Sequence, residues 1–288
     1  MIIVISGPTA VGKTKLSIEL AKKYNAEIIN YDSVQIYKDM DIASAKVTKE
    51  EMEGIPHHLL DIKNYDENYS IYDYQMDARK KIEELKNKNK NIIFVGGTGL
   101  YIKAALYDYR FNKEEEKYDF SNLTNEELYK RIIEIDKDIK VDKDNNRRLV
   151  RTLTNLLNGN ITNNKDTLLY DDCYFIGLKT DRDILYERIN KRVDIMIDNG
   201  LIDEAKKFYN KERTKAIMTP IGYKELFRYL DNEITKDEAI DLIKKNSRHY
   251  AKRQFTFFNN QMNIKWFDVN FNDFNNTVLE VENYINLN

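Results

Sequence analysis

The chain has 288 residues, 42% of them hydrophobic and 33% charged, with a formal net charge of −2. That balance excludes a disordered chain and a protein that coats nucleic acid through bulk positive charge. A single cysteine, Cys173, excludes an internal disulfide and a thiolate zinc cluster, and the three histidines His57, His58 and His249 leave little for a metal centre. No apolar run approaches the ~20 residues that span a bilayer. A glycine motif opens at Gly7 with no targeting pattern before it, so a cytoplasmic enzyme without a membrane partner is expected.

Ile2-Ile3-Val4-Ile5 is a continuous apolar run, the pattern of a strand buried on both faces. Lys13–Tyr24 carries a helical stripe of Leu16, Ile18, Leu20 and Ala21. A second strand is expected at Glu27–Asn30, a helix over Tyr72–Leu85, a third strand at Asn91–Val95 and a helix over Leu100–Tyr107. Phe111–Tyr118 is highly charged and aperiodic, which predicts a loop. Helices follow near Asn125–Asp136, opened by Thr124 as cap, and Asn145–Leu157. Cys173–Leu178 is a fourth strand, in which Cys173 reads as a small hydrophobe. Asp181–Lys245 is helical throughout, broken at Gly200 and Thr219-Pro220. A last helix, Lys244–Phe258, and a strand, Ile264–Phe267, return to the core. Strands alternating with helices predict an α/β fold with a parallel sheet. The expected division is a core of residues 1–180 and 246–288 with a helical insertion at 181–245, residues 112–160 being largely helical as well.

Gly7-Pro8-Thr9-Ala10-Val11-Gly12-Lys13-Thr14 fits G-x-x-x-x-G-K-[ST] between a strand and a helix. This is the phosphate loop of P-loop NTPase-like, nucleotide- and ATP-binding folds: backbone N–H groups converge on phosphate oxygens at the positive end of a helix. Lys13 adds a point charge, and the Thr14 hydroxyl suits Mg²⁺. The strand that would carry a second, metal-holding aspartate in an ordinary NTPase ends instead in Gly96-Gly97-Thr98. Asp32 is the carboxylate that closes a buried strand. Ligands bind beyond the carboxyl ends of such strands, so Asp32 and Thr98 fall on the rim of the phosphate loop. Asp32 is a candidate general base for an attacking group. Gln35, with a donor and an acceptor, suits either a base edge or the tethering of a loop. His57 and His58, adjacent in sequence, are no metal pair on one helix face.

These segments resemble the tRNA dimethylallyltransferase (tRNA isopentenyltransferase) family, bacterial type. Its form of the phosphate loop is joined by Asp32-Ser33-Val34-Gln35-Ile36-Tyr37, Pro56-His57-His58-Leu59-Leu60-Asp61 and Val95-Gly96-Gly97-Thr98-Gly99-Leu100-Tyr101. Arg188–Asp194, Ile221-Gly222-Tyr223-Lys224-Glu225-Leu226 and Tyr250–Thr256 follow in order. Ile42–Val47 stands where that family usually has I-G-T-A-K-P, and Arg151–Thr154 where it has R-A-L-E. Ser247 replaces a Thr, and Phe257 takes a common Trp position.

The resemblance implies transfer of a dimethylallyl group from dimethylallyl diphosphate to N6 of adenosine 37 in the tRNA anticodon stem-loop. Gly7 to Thr14 would hold the diphosphate with Mg²⁺ at Thr14, and Asp32 would take the amine proton. Thr9 and Thr98 would line the route between substrates, and Arg192 would reach the diphosphate. Implied tRNA contacts are Asp32, Ser33, Val34 and Gln35; Arg147, Arg148 and Arg151; Gly222, Tyr223 and Lys224; and Arg248, Lys252, Arg253 and Gln254. A monomer is expected. The alternatives are an adenylate isopentenyltransferase acting on free nucleotide, a small-molecule P-loop kinase and a non-enzymatic nucleotide switch.

Overall fold

The computed structural model describes residues 1–110, 118–158 and 167–287. In chain order the elements are β1 (Ile2–Ser6), α1 (Lys13–Tyr24), β2 (Ala26–Asn30), β3 (His57–His58), α2 (Ile71–Asn87), β4 (Asn91–Val95), α3 (Gly99–Leu106), α4 (Asn125–Ile135) and α5 (Asn146–Leu157). Then come β5 (Cys173–Lys179), α6 (Arg182–Asp198), α7 (Leu201–Tyr209), α8 (Lys215–Met218), α9 (Tyr223–Leu230), α10 (Lys236–Gln261), β6 (Lys265–Asp268) and α11 (Phe274–Leu287). The loop expected at Phe111–Tyr118 lies, as far as residue 117, outside the described residues.

Six strands form one parallel sheet in the order β3-β2-β4-β1-β5-β6. The apolar runs are the reason for this arrangement. Ile3, Ile5, Ile28, Ile93 and Ile176 have no exposed surface, because helices cover both faces of a parallel sheet and leave no solvent side for polar residues. Neighbouring β2, β4 and β1 end together at Asn30, Val95 and Ser6, so the three loops that follow them stand side by side.

The chain divides into two compact units, Met1–Leu106 with Tyr170–Asn288, and Tyr107–Leu169. In the second, α4 and α5 pack around Leu128, Ile132, Leu149 and Leu153. Thr124 opens α4 with a capping box: its hydroxyl accepts the Glu127 amide while the Glu127 carboxylate accepts the Thr124 amide. The helices of 181–245 lie in the first unit.

Three elements differ from the sequence expectation. The last long helix does not start at Lys244. It runs unbroken over Lys236–Gln261, because a Thr235–Glu238 capping box nucleates it and neither glycine nor proline interrupts it. The edge strand β3 has only two residues, too short for any periodicity. Helix α11, not expected from the sequence, buries Phe274, Val278, Val281 and Ile285 in the core cluster that also holds residues of α1 and the sheet.

Candidate active site

The phosphate loop follows from β1 directly. Gly7 has φ 138° and Gly12 φ 104°, and a Cβ on Gly7 would stand 2.5 Å from the Leu178 carbonyl oxygen, so the first turn of the loop admits only glycine. Lys13 opens α1 and folds back, its ammonium donating to the Gly7 and Pro8 carbonyls at 3.0 and 2.9 Å. Beside the loop opens a cavity of about 880 Å³, lined by Thr9, Lys13, Thr14, Asp32, Thr98 and Arg192 among others.

Asp32 sits just past β2. Asn30 Oδ1 accepts its amide at 3.0 Å, and its own Oδ1 accepts the Val34 amide at 2.9 Å, an Asx turn that fixes the carboxylate. Burial raises its pKa above the ordinary carboxylate value, opposed by the Val34 and Gln35 amides and by the charges of Lys13 and Arg192. Lys13 responds in the opposite sense: burial, together with the charge of Arg192, pulls it down to about 7. Burial also lowers the pKa of Arg192, whose Nη1 donates to Thr9 Oγ1 at 3.1 Å, with Asp32 and Glu51 countering. Two cations thus crowd one recess facing one carboxylate, an arrangement completed electrostatically by a polyanion.

The loop after β4 supplies the opposite wall. Thr98 Oγ1 accepts the Ser33 amide at 3.0 Å and pairs with Ser33 Oγ at 3.1 Å, so Thr98 and Asp32 are held as one unit. Gly96 presses on Tyr31, where a Cβ would come within 2.5 Å of backbone. From α10, Gln254 inserts between the loops: Oε1 accepts the Thr9 amide at 2.9 Å and Nε2 donates to the Gly97 carbonyl at 3.3 Å. The Tyr250 hydroxyl stands 3.5 Å from the same carbonyl.

The structure therefore brings together Thr9, Ala10, Gly12, Lys13 and Thr14 of the phosphate loop with Asp32, Ser33, Val34, Gln35, Thr98 and Arg192 around one cavity, and it gives each expected RNA contact its surroundings. Gln254 is buried and its amide is used on the two loops. Tyr223 is fully buried, its hydroxyl donating to Glu204 at 2.8 Å. Gly222 is buried as the residue before α9, with φ 126°. Gln35 tethers a loop, its Nε2 donating to the Ser44 and Ala45 carbonyls. Lys224, Lys252 and Arg253 are exposed, Arg253 also reaching the cavity rim. Arg248 is half-buried and donates to Asn190 Oδ1. Arg147, Arg148 and Arg151 are exposed on α5 of the second unit.

Sequence reasoning passed over Tyr250 and Arg188, which donates to the Ala10 carbonyl at 3.1 Å. A signal existed for α10: Ser247, Tyr250 and Gln254 recur at helical spacing as a polar stripe, continued by Phe257, on the face that lines the cavity. Among the described residues no group of three or more His, Cys, Asp or Glu could cage a metal. A magnesium ion here fits differently. The exposed Thr14 lies in the first turn of α1 on the cavity wall, and Mg²⁺ takes most of its ligands from phosphate oxygens and water.

The sequence matches the family described as IPP transferase over residues 35–261. The chain belongs to the IPP transferase family. It is 46% identical to the tRNA dimethylallyltransferase of Bacillus pumilus, covering 93% of this chain and 89% of the relative, and 45% identical to that of Bacillus subtilis, covering 93% and 90%. Among solved structures it is similar to the full-length tRNA isopentenylpyrophosphate transferase of Bacillus halodurans, with TM-score 0.77 and 41% identity over 99% of this chain and 95% of that one. A eukaryotic dimethylallyltransferase acting on tRNA aligns with TM-score 0.79 and 30% identity over 93% and 73%. The two solved structures thus share the fold of this chain. No described helix is long and apolar enough to cross a membrane.

Proposed function

We propose that this IPP transferase moves a dimethylallyl group from dimethylallyl diphosphate to N6 of adenosine 37, in the anticodon stem-loop of tRNAs reading codons that begin with U. The observation that carries the reading is the placement of the half-buried Asp32 carboxylate opposite Lys13 and Arg192 in one cavity. An ordinary P-loop NTPase helps hold its Mg²⁺ with a second aspartate closing the strand beside the phosphate loop. Here that strand, β4, closes on Gly96-Gly97-Thr98.

The chemistry follows from the residues in place. The N6 lone pair attacks C1 of the dimethylallyl group, the C1–O bond breaks, and the electron pair leaves on the diphosphate. The proton released from N6 passes to Asp32, whose raised pKa makes it a willing acceptor. The phosphate-loop amides, Lys13 and Arg192 stabilise charge gathering on the leaving oxygens, held before the reaction starts. Thr9 and Thr98 border the path between the two substrates. Mg²⁺ held near Thr14 would supply further charge neutralisation to the diphosphate. The target adenine must leave its stack to enter a recess of this depth. Lys224, Arg248, Lys252 and Arg253, with Arg147, Arg148 and Arg151, offer the phosphate contacts for tRNA, and we take the enzyme to be a cytoplasmic monomer.

The test is prenyl transfer from labelled dimethylallyl diphosphate, offered unmodified tRNA with adenosine 37 flanked by adenosines and, separately, AMP. Label in tRNA that is lost with Asp32→Ala is the expected result. Label in AMP alone would make the chain a nucleotide prenyltransferase, and no transfer with tight ATP binding would make it a kinase.

A further inference from the structure

Glu204 lies on α7, outside the catalytic groups, and is only 5% exposed. A carboxylate is rarely buried without partners, and this one is saturated. Oε2 accepts the amides of Asp41 and Ile42 at 2.9 and 2.7 Å, and Oε1 accepts the Ala43 amide at 2.9 Å and the Tyr223 hydroxyl at 2.8 Å. Three successive amides aimed at one point form a backbone anion nest, the kind of concavity that elsewhere binds phosphate. Here the protein fills it with its own anion through charge-assisted bonds.

The segment so held is the wall of the cavity. Ala43, Ser44 and Ala45 line it, and Gln35 Nε2 donates to the Ser44 and Ala45 carbonyls at 3.1 and 3.3 Å. Gln35 in turn directs its backbone amide at Asp32. Lys46 pins the far end, donating to the Tyr37 carbonyl at 2.8 Å and pairing with Asp41 and Asp61 at 2.6 and 2.5 Å. Asp39 and Ala45 carry φ of 62° and 47° without being glycine, a conformation that persists only where surroundings enforce it.

We propose that Glu204 is a positioning residue for the acceptor: as an internal anion it holds the Asp41–Ala43 nest, and through Gln35 it sets the wall against which the incoming base is placed beside Asp32. This rests on the acceptor reading above. The groups hydrogen-bonded to Glu204, in Asp41, Ile42, Ala43 and Tyr223, all lie outside the phosphate loop, so its loss falls on the acceptor and spares the donor.

The experiment compares wild type, Glu204→Ala and Glu204→Gln for KM of tRNA, KM of dimethylallyl diphosphate and kcat. It adds hydrogen exchange of peptides covering Asp41–Ala43, which needs no turnover. Glu204→Ala is expected to raise KM for tRNA about tenfold or more, to change KM for the diphosphate by less than about twofold, and to speed exchange at Asp41–Ala43. Glu204→Gln should fall between, since one carboxamide oxygen keeps two donors while the amide nitrogen confronts the others. Added acetate should restore part of the Glu204→Ala loss by refilling the nest. Unchanged exchange at Asp41–Ala43, or both KM values rising alike without acetate rescue, would overturn the proposal. If Glu204→Ala does not fold, Glu204→Gln carries the same comparison. Absence of tRNA transfer by wild type would strike down the function reading, whereas the exchange result judges the nest by itself.

Discussion

Gln254 joins the two loops that carry the reacting groups: its Oε1 accepts the Thr9 amide at 2.9 Å, and its Nε2 reaches the Gly97 carbonyl at 3.3 Å. Thr9 also takes a hydrogen bond from Arg192, and Gly97 precedes Thr98, which binds the backbone beside Asp32. One side chain from α10 therefore ties the donor end of the cavity to its acceptor end. Replacing it by leucine would leave the part-buried Thr9 amide unpaired, at about 1–3 kcal/mol, and would leave the Gly97 carbonyl only the long contact from the Tyr250 hydroxyl at 3.5 Å. Gln254→Leu should lower kcat at least about tenfold while tRNA affinity, measured by filter binding, stays within about twofold. A large loss of tRNA affinity with kcat preserved would return Gln254 to the role of an RNA contact.

Asp32→Asn should abolish transfer and leave diphosphate binding intact. The carboxamide keeps an oxygen for the Val34 amide, so the Asx turn survives, yet it cannot accept a proton. Calorimetric titration with inorganic diphosphate would read the second half of this claim. Transfer persisting in Asp32→Asn at more than about a hundredth of the wild-type rate would exclude Asp32 as general base.

The pH profile has a sign fixed by Lys13 and Asp32. Lys13, pulled down to about 7 by burial and Arg192, loses its charge in the free enzyme as pH rises through that value. kcat/KM for dimethylallyl diphosphate, which reports free-enzyme groups, should fall on the alkaline side from about pH 7. Bound diphosphate restores the Lys13 proton, so kcat should stay level over the same interval. On the acid side, Asp32 must be ionised to accept a proton, and burial places that limb above the ordinary carboxylate value. A kcat/KM flat from neutrality to pH 9 would show that Lys13 keeps its charge before the donor arrives.

The basic stretch of α10 divides by partner. Lys244 is paired with Asp194 at 2.6 Å, and Arg248 is turned to Asn190 at 2.5 Å, whereas Lys252 and Arg253 are exposed. Lys252→Ala should reduce the slope of log affinity for tRNA against log salt by about 0.7–0.9, and Lys244→Ala should leave it nearly unchanged. Equal slopes in Lys252→Ala and wild type would remove that face from the RNA interface.

The sequence made the phosphate loop, β1, β4 and the Asp32 corner legible for a physical reason. Buried parallel strands must be uninterrupted apolar runs, and a loop that wraps phosphate must carry glycine at fixed points. The partners of those groups were not legible. Glu204 in Leu201–Tyr209 could not be told from a solvent-facing charge, since three of its four donors are backbone amides more than a hundred and fifty positions away. Tyr223 and Gln254 sit in segments whose resemblance pointed to RNA, while burial assigns them to the interior. The short edge strand β3 and the capping box that starts α10 at Lys236 escaped for opposite reasons: two residues carry no period, and a long charged run hides a continuous helix.

Gly97 tests how tightly the loops are locked. A Cβ there would lie 2.3 Å from Gln254 Nε2, 3.1 Å from Asp32 Oδ2 and 3.3 Å from the Tyr250 hydroxyl. The nearest of these contacts is with the end of a flexible side chain, so Gly97→Ala evicts Gln254 before it moves the backbone, while the Asp32 contact at 3.1 Å is relieved by a shift of a few tenths of an ångström. The residue is not in the left-handed region, so steric contact alone decides the outcome. Gly97→Ala should thus lose activity about as Gln254→Leu does, and the double variant should lose little more than either single one, the mark of two changes breaking one interaction. Additive losses in that cycle would mean that the methyl group acts on Asp32 directly and that Gln254 serves the phosphate loop alone.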